Sequence, residues 1–224
     1  MTESTVRSGR AVADDTMTSV MRDATVVSKP TNWEDDRRAK WDKTMQYMFD
    51  EMKNNPNTDT FKKVKAAADT RNSTMSLALG GNPQFESAGA LFEVFAPGRT
   101  WDHKPKIQNL TNTYTEDGLY FQPPYGDNTV YYDFFSNVHY GYIMNLAGWP
   151  LDETIKGQDV PVLSGKQSPW DTMASQAGWE LAQREGRDLT WGEYNQAIQS
   201  LVQQFEAAQA AGTTMTNLRP SGQY

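Results

Sequence analysis

Four side chains that can hold or transfer a proton stand in unusual surroundings and are the first candidates for catalysis: Glu51, Asp102, Asp133 and His139. Glu51 lies at the border of an apolar helical stripe, where partial loss of water favours the protonated carboxyl that a general acid requires. The alternative is an ordinary boundary residue that pairs with a lysine such as Lys53 or Lys40.

Asp102 belongs to the stretch 101–106, which places an acid, an imidazole and two ammonium groups beside a tryptophan, just after the turn at Pro97 and Gly98. We expect Asp102 and Lys104 to hold each other in a cleft, where each charge shifts the proton affinity of the other. Trp101, next to the turn, is a candidate to stack on a sugar or a base. The alternative is a solvated loop that Trp101 anchors.

Asp133 and His139 lie in the aromatic stretch 131–142, which also contains Asn137 and Tyr140. Polar side chains on an otherwise aromatic helix need hydrogen-bond partners, and such networks occur in clefts that perform acid–base chemistry. We therefore expect Lys104, Asn137 and Tyr140, with Trp101, to bind substrate. Asp133 is equally suited to cap a helix, and His139 to be a core histidine satisfied by one hydrogen bond.

Several kinds of site lack their local signal. The chain has no cysteine and only two histidines, His103 and His139, so cysteine nucleophiles, cysteine zinc sites and three-histidine metal sites are excluded. Walker A, G-x-G-x-x-G, H-E-x-x-H and G-x-S-x-G motifs are also missing. We expect no metal and no cofactor.

Hydrophobic periodicity indicates which elements carry these residues. It predicts helices over 33–55, 58–79 and 85–95, a hairpin within 114–132 and a helix from Asp133 to Ala147. A loop over 151–167 and two capped helices, starting near Ser168 and Thr190, follow. The fold class is mainly α, a single helical domain over 33–211 with one small β-hairpin. Residues 1–32 form a flexible arm or docking segment, and residues 212–224 form a tail.

The charge distribution narrows the substrate class. The net charge is −7, and residues 107–224 carry only 5 basic side chains against 13 acidic ones. Because nucleic acids bind through phosphate neutralisation, a nucleic-acid substrate is disfavoured, unless the basic segment around residues 37–71 binds it. The chain contains no run of 18 apolar residues, so its sequence has no signal for a membrane span. The N-terminus also lacks the apolar core of a signal peptide.

Three motifs make the chain resemble the bacterial polymorphic-toxin type 44 domain, from about Trp41 to about Phe205. They are the segment 49–55 (FDEMKNN), the loop 101–105 (WDHKP) and the segment 133–142 (DFFSNVHYGY). The resemblance implies a mainly α toxin domain that bacteria use against competitors. It also implies functional roles for the motif residues Glu51, Asp102, Lys104, Asp133, Asn137 and His139.

Three functions remain open. The preferred one is an antibacterial effector that hydrolyses peptidoglycan or another glycan polymer, with Glu51 as acid and Asp133 or Asp102 as second carboxylate. The second is a metal-independent ribonuclease toxin, with His139 as base, Lys104 as phosphate clamp and Asp133 orienting the imidazole. The third is a structural or cargo subunit of a phage tail or contractile secretion particle, docked through residues 1–32. For an effector we expect an immunity protein as partner, and delivery to the periplasm or target cell by a dedicated machine.

Overall fold

The computed structural model describes residues 33–71, 83–158 and 168–222. The predicted arm 1–32, residues 72–79 of the second predicted helix and residues 159–167 of the predicted loop lie outside this part of the chain. The mainly α fold class is confirmed.

Eight α-helices are present in the described residues. They are α1 (Trp33–Asn54), α2 (Asp59–Arg71), α3 (Pro83–Phe95), α4 (His103–Thr111), α5 (Phe134–Leu146), α6 (Leu151–Gln158), α7 (Pro169–Glu185) and α8 (Trp191–Ala210). The predicted apolar stripe of the first helix is buried, with Trp41, Met45, Met48 and Met52 each at most 2% exposed. Both predicted capping boxes form, at Ser168–Asp171 for α7 and at Thr190–Glu193 for α8.

Two helices occupy segments predicted to be loops. Residues 103–105 of the motif 101–105 form the start of α4, and Asp102 lies before it in an extended conformation. Pro105 does not prevent this, because the first turn of a helix has free N–H groups and tolerates proline. The helix α6 occupies 151–158, and its acidic first turn and Lys156 in the last turn suit the helix dipole. Eight residues are too few to display a clear apolar stripe.

Helix α5 lies at the centre of the core. Its residues 138–144 are all buried, so the helix is covered all round rather than on the single face that the periodicity predicted. It packs closest against α7, where glycines allow backbone contact. A Cβ atom on Gly141 would overlap the backbone oxygen of Ser175, and one on Gly178 would overlap that of Val138.

The predicted hairpin is present as strands β1 (Tyr120–Phe121) and β2 (Asn128–Tyr131), which pair antiparallel with Tyr120 opposite Tyr131. A third strand, β3 (Leu218–Pro220), pairs with the other edge of β2 and places Leu218 opposite Val130. We expected residues 212–224 to be a tail. Instead Met215, Asn217 and Leu218 are buried, because the free edge of β2 and the apolar surface beside it both need a partner.

Candidate functional site

The two histidines of the chain meet in the core. His103 comes from the first turn of α4 and His139 from the middle of α5, and neither has any exposed surface. His103 Nε2 lies 3.2 Å from His139 Nδ1, and the ring centroids are 4.3 Å apart. Trp101 covers the pair from one side, with its ring centroid 5.5 Å from that of His139.

Helix α1 and Asn55, the residue that follows it, supply the partners of both imidazoles. The Tyr47 hydroxyl lies 2.9 Å from His103 Nδ1, and Asn55 Nδ2 lies 2.9 Å from His139 Nε2. Asn55 Nδ2 also donates to Glu51 Oε2 at 2.9 Å. Tyr47, Glu51 and Asn55 are four residues apart in turn, a spacing that sets side chains on one face of a helix. We call these five side chains (Tyr47, Glu51, Asn55, His103 and His139) the buried ring.

Burial fixes the charge state of the imidazoles. It lowers the pKa of His103 to about 3, with a further contribution from the positive charge of Lys106. It lowers the pKa of His139 well below the usual value, and His103 and Lys106 act in the same direction. Both rings are therefore neutral at physiological pH, and all four ring nitrogens have hydrogen-bond partners.

Glu51 is the edge of the buried ring that reaches solvent. Its side chain is 24% exposed, and its Oε2 atom lies 3.9 Å from His103 Nδ1. Burial, followed by the charge of Glu51 and a hydrogen bond to it, raises the pKa of the Tyr47 hydroxyl. The neighbouring Asp50 is exposed and accepts a hydrogen bond from Gln46 instead.

A second polar group surrounds the N-terminus of α5. Lys104 Nζ lies 3.6 Å from Asp133 Oδ2, and the Asp133 side chain is 15% exposed. Asp133 occupies the predicted N-cap position but makes no capping hydrogen bond, and its Oδ1 atom is buried without a partner. Burial, opposed by Lys104 and assisted by the charge of Asp171, raises the pKa of Asp133 to about 6.

Asn137 links this group to α7. Its Nδ2 atom donates to Asp171 Oδ1 at 2.7 Å, while Asp171 Oδ2 accepts from the backbone N–H of Ser168. Desolvation raises the pKa of Asp171. Because His103 contacts Glu51 and the adjacent Lys104 contacts Asp133, the first turn of α4 connects the buried ring with this second group.

The remaining candidates have different surroundings from those expected. Asp102 accepts a hydrogen bond from the Gly98 N–H at 2.8 Å, and among the described residues Lys104 pairs with Asp133 rather than with Asp102. Trp101 and Tyr140 are 4% and 8% exposed, and the Tyr140 hydroxyl donates to the Thr154 carbonyl. Their rings support the core around the histidines instead of facing solvent.

Sequence reasoning missed three members of the buried ring as site residues: Tyr47, Asn55 and His103. The spacing of Tyr47, Glu51 and Asn55 along one helix was an available signal. In the sequence, Asn55 marks only the end of the first predicted helix and His103 only accompanies Asp102, so neither pattern by itself predicts a site residue.

The described residues contain no group of three or more His, Asp or Glu side chains arranged to hold a metal ion. Within the same residues, no helix is long and apolar enough to cross a membrane.

Comparison with known proteins gives one finding. No curated protein and no solved structure matches the chain. A family model described as bacterial toxin 44 matches residues 90–179, which include the second and third motifs but not the segment 49–55. The match indicates a bacterial toxin, and over residues 90–179 it supports the resemblance to the type 44 toxin domain.

Proposed function

We propose that this toxin is a peptidoglycan hydrolase that cleaves glycan strands of the bacterial envelope. The observation that carries the proposal is the accessibility of the ionisable groups. Glu51 and Asp133 reach solvent, whereas both imidazoles are completely buried. Glycoside hydrolysis requires two carboxyl groups, one that donates a proton and one that remains a carboxylate.

The surroundings of the two carboxyls favour different roles. Asp133 has a pKa of about 6, so a useful fraction is protonated near neutral pH and can protonate the leaving glycosidic oxygen. Glu51 accepts the Asn55 N–H and suits the carboxylate that faces the attacking water or the sugar cation. This assignment reverses the sequence expectation, which gave the acid role to Glu51. Lys104, next to Asp133, remains a candidate to bind substrate.

The geometry does not favour the ribonuclease alternative. His139 has no exposed surface to receive a substrate proton, and its ring nitrogens bond to Asn55 and His103. The partner of Asp133 is Lys104, so Asp133 does not orient the imidazole. For the particle-subunit alternative, the proposed docking segment 1–32 lies outside the described residues. Delivery by a dedicated machine and an immunity protein as partner remain part of the proposal.

The test is digestion of purified sacculi by the wild type, Glu51→Gln, Asp133→Asn and the control Asp50→Asn, with mass spectrometry of the soluble fragments. We expect the wild type and the control to release fragments with new sugar reducing ends. Each of the other two variants should lose activity at least ~100-fold. Absence of release by the wild type would reject the proposal, and RNA would be the next substrate.

A glycoside with an activated phenolate leaving group separates the two roles, because such a group departs without a proton. We expect this substrate to restore Asp133→Asn much more than Glu51→Gln. The opposite pattern would return the acid role to Glu51.

A further inference from the structure

The hydrogen bonds of the buried ring have a defined direction, which starts at Asn55. Its Nδ2 atom contacts both Glu51 Oε2 and His139 Nε2, and an amide nitrogen only donates. The reversed amide would set its oxygen against the Glu51 carboxylate, with two acceptors facing each other. His139 Nε2 therefore accepts.

The tautomers of both histidines follow from this donor. A neutral imidazole has one N–H, so His139 carries its hydrogen on Nδ1 and donates to His103 Nε2 at 3.2 Å. His103 Nε2 then accepts, and its own hydrogen is on Nδ1, which faces the Tyr47 hydroxyl oxygen at 2.9 Å.

Tyr47 closes the series of hydrogen bonds, because it lies beside Glu51, the residue that also contacts Asn55. Because its oxygen accepts from His103, its hydrogen is directed elsewhere. The carboxylate beside it is Glu51, since the Tyr47 hydroxyl oxygen and Glu51 Oε2 lie 2.9 Å and 3.9 Å from the same atom, His103 Nδ1. Glu51 receives one hydrogen bond from Asn55, and its carboxylate is the acceptor available to the Tyr47 hydrogen. The imidazoles do not act as proton carriers, since burial keeps the pKa of His103 at about 3 and that of His139 far below its usual value.

We propose that the buried ring runs in this single direction and that Tyr47 is a positioning residue, which holds the Glu51 carboxylate with its hydroxyl hydrogen. The direction from Asn55 to Tyr47 stands on contacts, the last link from Tyr47 to Glu51 is part of the proposal, and the catalytic consequence rests on the proposed function. Each hydrogen bond in the ring fixes the next one, so the two neutral histidines help to orient the carboxylate at the solvent-exposed edge of the ring.

The chain contains only two histidines, so nitrogen NMR of protein labelled with ¹⁵N-histidine reports this ring without other imidazole signals. We expect both rings to be neutral with the hydrogen on Nδ1, and to stay so from pH 8 down to about pH 5. An Nε2–H tautomer at either histidine, or an imidazolium at pH 6, would overturn the direction of the ring.

The role of Tyr47 is tested by Tyr47→Phe, with Tyr114→Phe as the matched control because Tyr114 is 66% exposed. On soluble glycan strands we expect Tyr47→Phe to lower kcat roughly 10- to 100-fold and to leave KM within about twofold. The control should keep both constants. An unchanged kcat in folded Tyr47→Phe would remove Tyr47 from positioning.

The two proposals fail in distinguishable ways. If wild-type protein releases nothing from sacculi, the glycan substrate is rejected, while the tautomers still decide the direction of the ring. If sacculi are digested but the tautomers differ, the hydrolase stands and the ring proposal is rejected.

Discussion

At the scale of single residues, burial decides the chemistry of side chains whose roles the sequence leaves open. Two histidines in polar motifs are neutral structural links, because neither contacts water. Two acidic residues that each precede a helix differ from one another. Asp102 accepts the Gly98 N–H, whereas Asp133 retains a buried oxygen without a partner and has the raised pKa.

The pH dependence of activity follows from Asp133 as the acid. A general acid must be protonated, so kcat/KM should fall as pH rises above about 6, the pKa of Asp133. The measurement is the rate of glycan cleavage from pH 4.5 to 8.5. Asp133→Asn should have a low rate without this alkaline limb, and a limb that persists in that variant would assign it to another group.

Asp133 also affects stability. Its pKa is raised from 3.8 to about 6 by folding, so the neutral form is favoured in the folded state. Ionisation of Asp133 therefore does not lower the free energy of unfolding below about pH 4, where the group is protonated in both states. It lowers the free energy of unfolding by its full amount above about pH 6. Asp133→Asn should raise the free energy of unfolding by about 1–3 kcal/mol at pH 7 and by much less at pH 4.

Urea unfolding at both pH values measures this difference, with Asp50→Asn as the exposed control. Asp133→Asn also removes the ion pair with Lys104, but this reduces the expected gain in stability only slightly. Lys104 is 46% exposed, and such exposed pairs contribute weakly. An equal effect of Asp133→Asn at both pH values would contradict the electrostatic origin.

At the scale of elements, close contact between α5 and α7 positions the site. Gly141 and Gly178 each face a backbone oxygen of the other helix, so a methyl group forces the helices apart. Gly141→Ala or Gly178→Ala should lower the free energy of unfolding by about 3 kcal/mol. The matched control is Gly89→Ala in α3, whose added Cβ meets no atom within 4 Å and should be neutral or stabilising by up to about 1 kcal/mol.

Thermal unfolding of the three variants checks this ranking. The Gly141 variant should also weaken catalysis, because His139 and Asn137 lie on the displaced helix. Equal melting temperatures for Gly141→Ala and Gly89→Ala would mean that α5 and α7 can move apart without lowering the stability of the protein.

The sequence predicted the elements that have a strong local signal and missed those that depend on distant contacts. The stripe of α1 and the capping boxes of α7 and α8 are local patterns, and they are confirmed. The burial of α5 on all sides was missed, since it depends on surrounding elements. For the site, spacing singled out Glu51 and His139, but the link between them runs through Asn55, 84 residues from His139.

At the scale of the whole molecule, the C-terminal residues complete the sheet rather than trail from it. Met215 and Leu218 are buried, and β3 covers the edge of β2. The Arg219 guanidinium stacks 3.8 Å from the Tyr120 ring and pairs with Asp117. Arg37 of α1 donates to the carbonyls of Tyr120 and Asp117, so the same corner connects the sheet to the first helix.

A chain that ends at Gly212 should therefore be destabilised. Burial of a Met or Leu side chain contributes about 1.5–3 kcal/mol, so the loss of Met215 and Leu218 should lower the free energy of unfolding by at least about 3 kcal/mol. The control chain ends at Gly222, so it retains β3 and should be more stable than the Gly212 chain. Urea midpoints compare the three chains. A midpoint for the Gly212 chain equal to that of the control would mean that β3 contributes nothing and that the C-terminal residues behave as the tail expected from their composition.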